Sequence, residues 1–172
     1  LAQADPARLA EVARMLADAG VALMVLPATD LFLMHRDRDR SGPRGVTPAH
    51  VLARHGVTCS LATNDVLNPL TPFGDCSQLR MANLYANVCQ IGRRETMAEC
   101  FRMVTSGAAK LMNRDGYGIR PGLTATLVVL DATDPATAVA EIAQPVAGFK
   151  DGRRTFTRPL PRLHANRPAA AA

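Results

Sequence analysis

Leu61-Ala-Thr-Asn-Asp-Val-Leu-Asn-Pro-Leu-Thr-Pro-Phe-Gly74 decides how the rest of the chain is read. A short apolar run, Val57 to Leu61, leads into it, and a helical pattern from about Cys76 to Ile91 follows. A buried strand therefore empties into a polar loop at its C-terminal end, where α/β folds place their chemistry. Asn64, Asp65 and Asn68 bring amide and carboxylate groups to that exit, and Pro69 and Pro72 stiffen the chain beyond them.

Toward the N-terminus, Asp5-Pro6 reads as a cap followed by proline at the first helical position. Leu9, Val12, Ala13 and Leu16 recur at helical spacing, and Gly20 ends that helix. Val21 to Leu26 is a continuous apolar run of strand length, the texture of a parallel strand covered on both faces. Pro27-Ala-Thr-Asp30 and a short apolar piece, Leu31 to Met34, come next. His35 to Gly45 is a charged loop whose alternating signs suit either a solvated loop or a lid over a neighbouring site. Thr47-Pro48 is expected to cap a short helix through about His55, stopped by Gly56.

Toward the C-terminus, Leu79, Leu84, Val88 and Ile91 predict an apolar helix stripe flanked by Met81 and Tyr85, with Gly92 as terminator. Thr96 is expected to cap another helix carrying Met97, Cys100, Phe101 and Val104, and Thr105 to Met112 a further short turn. The texture then changes. Thr124 to Leu130 reads as a strand and Pro135 to Ala143 as a short helix, and Asp151-Gly152 is a hairpin signal between two further strands. The end of the chain, about 161–172, has little to bury and reads as a disordered tail.

At 172 residues, 48% apolar and 20% charged, the chain is one ordinary domain or a piece of a larger one. No apolar run approaches the roughly 20 residues of a membrane span. The absence of Trp and the two Tyr argue against an aromatic platform for bases or glycans. The first residue is Leu, consistent with a removed leader or with a cut from a longer chain. Cys59, Cys76, Cys89 and Cys100 lack zinc or C-x-x-C spacing and read as reduced thiols of a cytoplasmic protein. The net charge of +5 owes much to Arg153, Arg154, Arg158, Arg162 and Arg167. With no aromatic interleaving, a solvated basic tail is expected there rather than a nucleic-acid site.

The elements sum to an α/β chain of about two β/α units, residues 1–120, followed by a small β appendage over 121–160. Two parallel strands cannot cover their own faces and edges. The pattern therefore predicts a missing portion, supplied by another part of the protein or by another copy, and an exposed sheet edge prone to self-association.

Pro27-Ala-Thr-Asp-Leu-Phe-Leu33, Asn64 to Gly74, Leu84-Tyr-Ala-Asn-Val-Cys-Gln90, Asp115-Gly-Tyr-Gly-Ile119 and Gly122 to Leu130 resemble the C-terminal part of bacterial cytosine deaminases and related amidohydrolases. The resemblance runs through nearly the whole chain in order. It implies the last two β/α units of a (β/α)8 metal-dependent hydrolase barrel, with the appendage belonging to a small β-sandwich. The reaction it implies is removal of an amine from a small cyclic substrate by a water on a divalent metal, zinc or iron. It also implies that the family's histidine ligands lie outside this sequence; His50, His55 and His164 do not replace them. His35, in the charged loop, reads either as a ligand contact or as a loop residue.

Within the resemblance, the family's metal-binding and proton-shuttling Asp falls on Asn64, with Asp65 next to it. An amide offers a metal one carbonyl oxygen but cannot accept a proton from bound water. Asn64 is thus the candidate metal contact, Asn64 and Asp65 the candidate catalytic residues, Asp65 serving only if the loop register shifts by one, and Asn68 and Asp30 the candidate substrate contacts. The bland alternatives are that Asn64 and Asn68 bond the backbone of a tight loop and that Asp65 caps a following helix. Leu70 stands where relatives carry an aromatic residue, and Thr126 where they carry Asp. A non-catalytic remnant or assembly module of the same fold is the competing reading. A nucleotide-binding domain is disfavoured, because neither strand exit carries a glycine-rich turn.

Overall fold

The computed structural model describes residues 1–40 and 42–162; His164 and Arg167 lie outside them. The first helix, α1 (Pro6–Asp18), starts as expected, with the Asp5 carboxylate accepting from the Arg8 backbone N–H at 3.0 Å. It buries Leu9 and Ala13 and ends at Gly20, whose φ of +66° is left-handed. Strand β1 (Leu23–Val25) follows, then α2 (Pro27–Leu33), α3 (Ala49–Arg54) and β2 (Cys59–Leu61). β1 and β2 are parallel, with Leu23 opposite Cys59, Met24 opposite Ser60 and Val25 opposite Leu61.

β2 is buried at all three positions. β1 is not covered on both faces, contrary to the expectation from its apolar run: Val25 is buried, while Met24 and Val21 are 45% and 47% exposed. With two strands in the sheet, each has one unpaired edge, and among the described residues no layer closes over Met24.

Four helices follow: α4 (Gln78–Val88), α5 (Arg94–Met103), α6 (Ser106–Leu111) and, after β3 (Leu127–Leu130), α7 (Pro135–Ala140). α4 is capped by Ser77, whose hydroxyl accepts from the Arg80 N–H at 3.2 Å, so Asp65 is not its cap. Its buried stripe is Met81, Ala82, Tyr85 and Ala86, not Leu79, Leu84, Val88 and Ile91, which are only part-buried. Small alanines let the helix sit close to the core, and Tyr85 can face inward because its hydroxyl finds a partner there. Gln90, at φ +53°, and not Gly92 turns the chain at the end, with Ile91 N–H bonding the Ala86 carbonyl at 2.8 Å. Thr96 lies inside α5, which has Arg93 at its N-cap, and α3 has Pro48 there; neither helix has a side-chain cap bond.

The appendage is an antiparallel sheet ordered β3–β4–β5, with β4 (Pro145–Lys150) and β5 (Arg153–Thr157) joined by Asp151-Gly152. Both turn residues have positive φ, 50° and 76°, as a two-residue primed turn requires. β3 starts at Leu127, later than the expected Thr124. α7 ties the appendage to the helices through Asn83, whose side-chain amide donates to the Val139 and Ala140 carbonyls at 2.9 and 3.2 Å.

The core joins Leu9, Val25, Leu52, Leu61, Tyr85 and Met103. Tyr85 is fully buried, and its hydroxyl accepts the His50 backbone N–H at 3.0 Å and meets His50 Nδ1 at 2.7 Å. His50 thus sits in the first turn of α3. Burial holds Tyr85 protonated, so its proton can go to Nδ1, an arrangement that needs neutral imidazole. Burial first, then the Arg54 charge, lowers the His50 pKa, against a smaller opposing pull from Glu99. Glu99 itself reaches Arg54 at 3.8 Å and Arg102 at 3.9 Å.

The unfolded chain binds a proton at His50 near pH 6.5 while the folded one resists it, so stability is fully present above that pH and is lost as pH falls below it. Urea unfolding at pH 7 and pH 5 should show the loss, and His50→Gln should remove the histidine's share of it. At Gly107, an added Cβ would lie 2.6 Å from the Cys59 carbonyl oxygen and 3.0 Å from that of Arg102. Gly107→Ala is expected to cost about 1–3 kcal/mol in the same measurement.

Candidate functional site

Both strands of the parallel pair point the same way, so their exits lie at one end of the sheet. At the β1 exit the chain turns at once into α2, with Thr29 and Asp30 in its first turn. At the β2 exit it enters the loop Ala62–Asp75, which carries Asn64, Asp65 and Asn68.

Asn64 and Asp65 are exposed. Asn64 has φ +57°, left-handed backbone in which Asn and Asp are the best tolerated of the non-glycine residues. The Thr63 hydroxyl donates to the Asn64 carbonyl at 3.2 Å, and Leu67 repeats the left-handed geometry at φ +57°. Asn68 is bound up in the loop itself: its Oδ1 accepts the N–H groups of Leu70 and Thr71 at 3.0 and 2.8 Å. Its own N–H donates to the Thr71 carbonyl at 3.2 Å. This is the backbone-bonding alternative foreseen for Asn68, and it leaves only the side-chain NH2 for a ligand.

Asp30 is half-buried. Burial raises its carboxyl above the ordinary carboxylate range, against a smaller lowering by the Leu26 N–H. The segment holding Asp30 is brought to the Asn68 loop by a residue pair that the sequence did not single out. The hydroxyls of Thr29 and Thr71 share a hydrogen bond of 2.7 Å in the interior. Two threonines so far apart leave no local pattern to read; only the threonine of Leu70-Thr-Pro72 beside a tight turn hinted at a structural role.

Between α2, the loop and α4 lies a cavity of about 320 Å³, walled mainly by Leu31, Phe32, Val66, Phe73, Met81 and Leu84. Thr63 and Thr71 reach its wall, but Asn64, Asp65, Asn68 and Asp30 do not. The expected polar residues therefore sit at the strand exits, outside the apolar hollow beside them. His35 borders a different, charged hollow together with Arg36, Arg38, Asp39, Arg40 and Arg44.

Among the described residues, no three His, Cys, Asp or Glu side chains come together in a way that could hold a metal ion. Asn64 brings one neutral carbonyl oxygen, and Asp65 one carboxylate. Among the described residues, the donors do not fit a metal centre by themselves.

The chain is similar to several hydrolases. A pterin deaminase of Rhizobium rhizogenes is 28% identical over 134 residues, covering 77% of this chain and 30% of that protein. An N-isopropylammelide isopropyl amidohydrolase of a Pseudomonas species is 25% identical over 107 residues, 62% of this chain and 27% of the relative. The crystal structure of 5-methylcytosine deaminase from Klebsiella pneumoniae liganded with 5-fluorocytosine superposes with a TM-score of 0.83 at 25% identity. That match covers 93% of this chain and 39% of the deaminase. The chain thus spans under a third of the length of these two sequence relatives. The sequence model of the amidohydrolase family matches residues 2–156, nearly the whole chain, so this protein belongs to the amidohydrolase family of hydrolases.

Proposed function

We propose that residues 1–120 are the last two β/α units of a (β/α)8 hydrolase barrel and that 121–160 are the return strands of its small β-sandwich. The half-open β1, a buried β2 and a parallel pair with unpaired edges support this reading. The partner of those edges is the rest of the barrel or a second copy of the chain.

The complete protein, in this reading, hydrolyses a carbon–nitrogen bond of a small cyclic amine, as a cytosine-deaminase-like enzyme of the cytoplasm. The observation that carries it is Asn64-Asp65 standing exposed just past the carboxyl end of a buried parallel strand in an amidohydrolase-family chain. Water oxygen bonds to the ring carbon, the exocyclic carbon–nitrogen bond breaks, and ammonia leaves with a proton that the Asp65 carboxyl can relay. Asp30 and the free amide of Asn68 contact the ring. A zinc or iron in the complete protein would be held chiefly by residues outside this chain, with Asn64 as the one neutral contact offered from it. Alone, residues 1–172 are inert. Neither nucleic acid nor a membrane has a role in this reading.

Asn64 also favours a second reading, a non-catalytic remnant that keeps the fold and has lost the metal-binding carboxylate.

Ammonia release from a panel of aminopyrimidines and aminotriazines, together with elemental analysis for metal, tests both. The first reading expects turnover by the complete protein, none by residues 1–172 alone, and a fall of about 10²- to 10⁴-fold in kcat for Asp65→Asn. Turnover with stoichiometric metal by residues 1–172 would refute their inertness. A complete protein that is silent on the panel until Asn64→Asp restores metal binding would establish the remnant reading.

A further inference from the structure

The Thr29 and Thr71 hydroxyls lie 2.7 Å apart, and the two residues are only 7% and 1% exposed. Thr29 stands in the first turn of α2, just past β1; Thr71 stands near the end of the loop that leaves β2. Other contacts tie the same two segments. The Arg36 guanidinium donates to the Pro69 carbonyl at 3.3 Å and lies 4.7 Å from the centre of the Phe32 ring. Phe32 meets Phe73 edge-on, with ring centres 5.8 Å apart.

The three contacts that cross between the segments, Thr29–Thr71, Arg36–Pro69 and Phe32–Phe73, all fall on residues 69 to 73 of the loop. Asn64 and Asp65 stand upstream, exposed, and the left-handed residues Asn64 and Leu67 lie between the strand end and the anchored part. Such backbone persists only where its surroundings over-determine it. The span from Asn64 to Leu67 is therefore fixed at two ends, by β2 on one side and by the α2 contacts on the other.

We propose that the Thr29–Thr71 hydroxyl pair is a positioning latch. It ties the loop after β2 to the helix after β1 and so holds Asn64 and Asp65 in the orientation the hydrolytic reaction needs. The proposal rests on the reading of the site given above. Neither threonine touches a reacting group; both act through the loop. A buried hydroxyl pair also has an asymmetry that a test can use. Removing one partner strands the other, whereas replacing both by isosteric apolar groups can be nearly neutral for stability.

The test compares Thr29→Val, Thr71→Val, the double valine variant and Thr71→Ser in the complete protein. Each single valine is expected to lower Tm and to reduce kcat about 10- to 100-fold, with KM little changed. The double variant should recover Tm but not kcat, because two methyl groups fix no direction. Thr71→Ser should keep both. A kcat that tracks Tm through the series, a loss confined to KM, or wild-type turnover in Thr71→Val would each overturn the latch. Amide exchange supplies a readout that does not need activity. The N–H groups of Asn68, Leu70 and Thr71, all bonded within the loop, should exchange faster in Thr71→Val and not in Thr71→Ser. If the wild-type protein releases no ammonia from any ring amine, the hydrolytic reading fails on its own, and unchanged exchange in Thr71→Val then overturns the latch separately.

Discussion

Everything in this chain hangs on a parallel pairing of two strands only three residues long. Beyond the register itself, the pair is extended by Leu23 N–H to the Thr58 carbonyl at 2.8 Å and Ala62 N–H to the Val25 carbonyl at 3.0 Å. So few bonds cannot hold a sheet in water; burial must do it. β2 has that burial, pressed between α3, α4, α5 and α6. At Gly107 the missing side chain lets α6 come down onto the Cys59 carbonyl. β1 has it on one face. This inequality between the strands is the observation behind the proposal that the chain is one sector of a larger closed sheet.

Parallel pairing also fixes the geography of the site. Because both strands run the same way, α2 and the Asn64–Gly74 loop emerge side by side, and residues remote in sequence can meet. The Thr29–Thr71 bond and the Phe32–Phe73 contact are consequences of that adjacency. An antiparallel pair would have sent the two segments to opposite ends.

The elements legible in the sequence were those with local causes. Proline at the start of α1, glycine at its end, the apolar runs of β1 and β2, and Asp151-Gly152 each act within a few residues. The misread features depend on tertiary partners. Thr47 and Thr96 have the chemistry of caps, but the helices begin elsewhere and their first N–H groups go without a side-chain cap. On α4, hydrophobicity favours Leu79 and Leu84 over Ala82 and Ala86, whereas the core selects close approach and a tyrosine whose hydroxyl His50 satisfies. At the site, Asn68 as a loop-bonding residue was foreseeable from its company of prolines. Its anchor on α2 was not, since nothing near Thr71 in the sequence points to Thr29.

Asn64 shows how shape and chemistry can separate in such a loop. Its backbone is left-handed, a conformation that Asn and Asp accept more readily than most residues. Exchanging a carboxylate for an amide there changes charge and proton affinity but asks nothing new of the backbone. The shape of the loop is set elsewhere, by the Asn68 turn, the Thr63 hydroxyl and the contacts of residues 69 to 73 with α2 and with Arg36 beyond it. A loop built this way keeps its form whichever of the two residues stands at 64. The structural likeness to a deaminase therefore speaks to the form of this loop and not to its chemistry. That chemistry is left to the side chains at the strand exit, an amide at Asn64 and a carboxylate at Asp65.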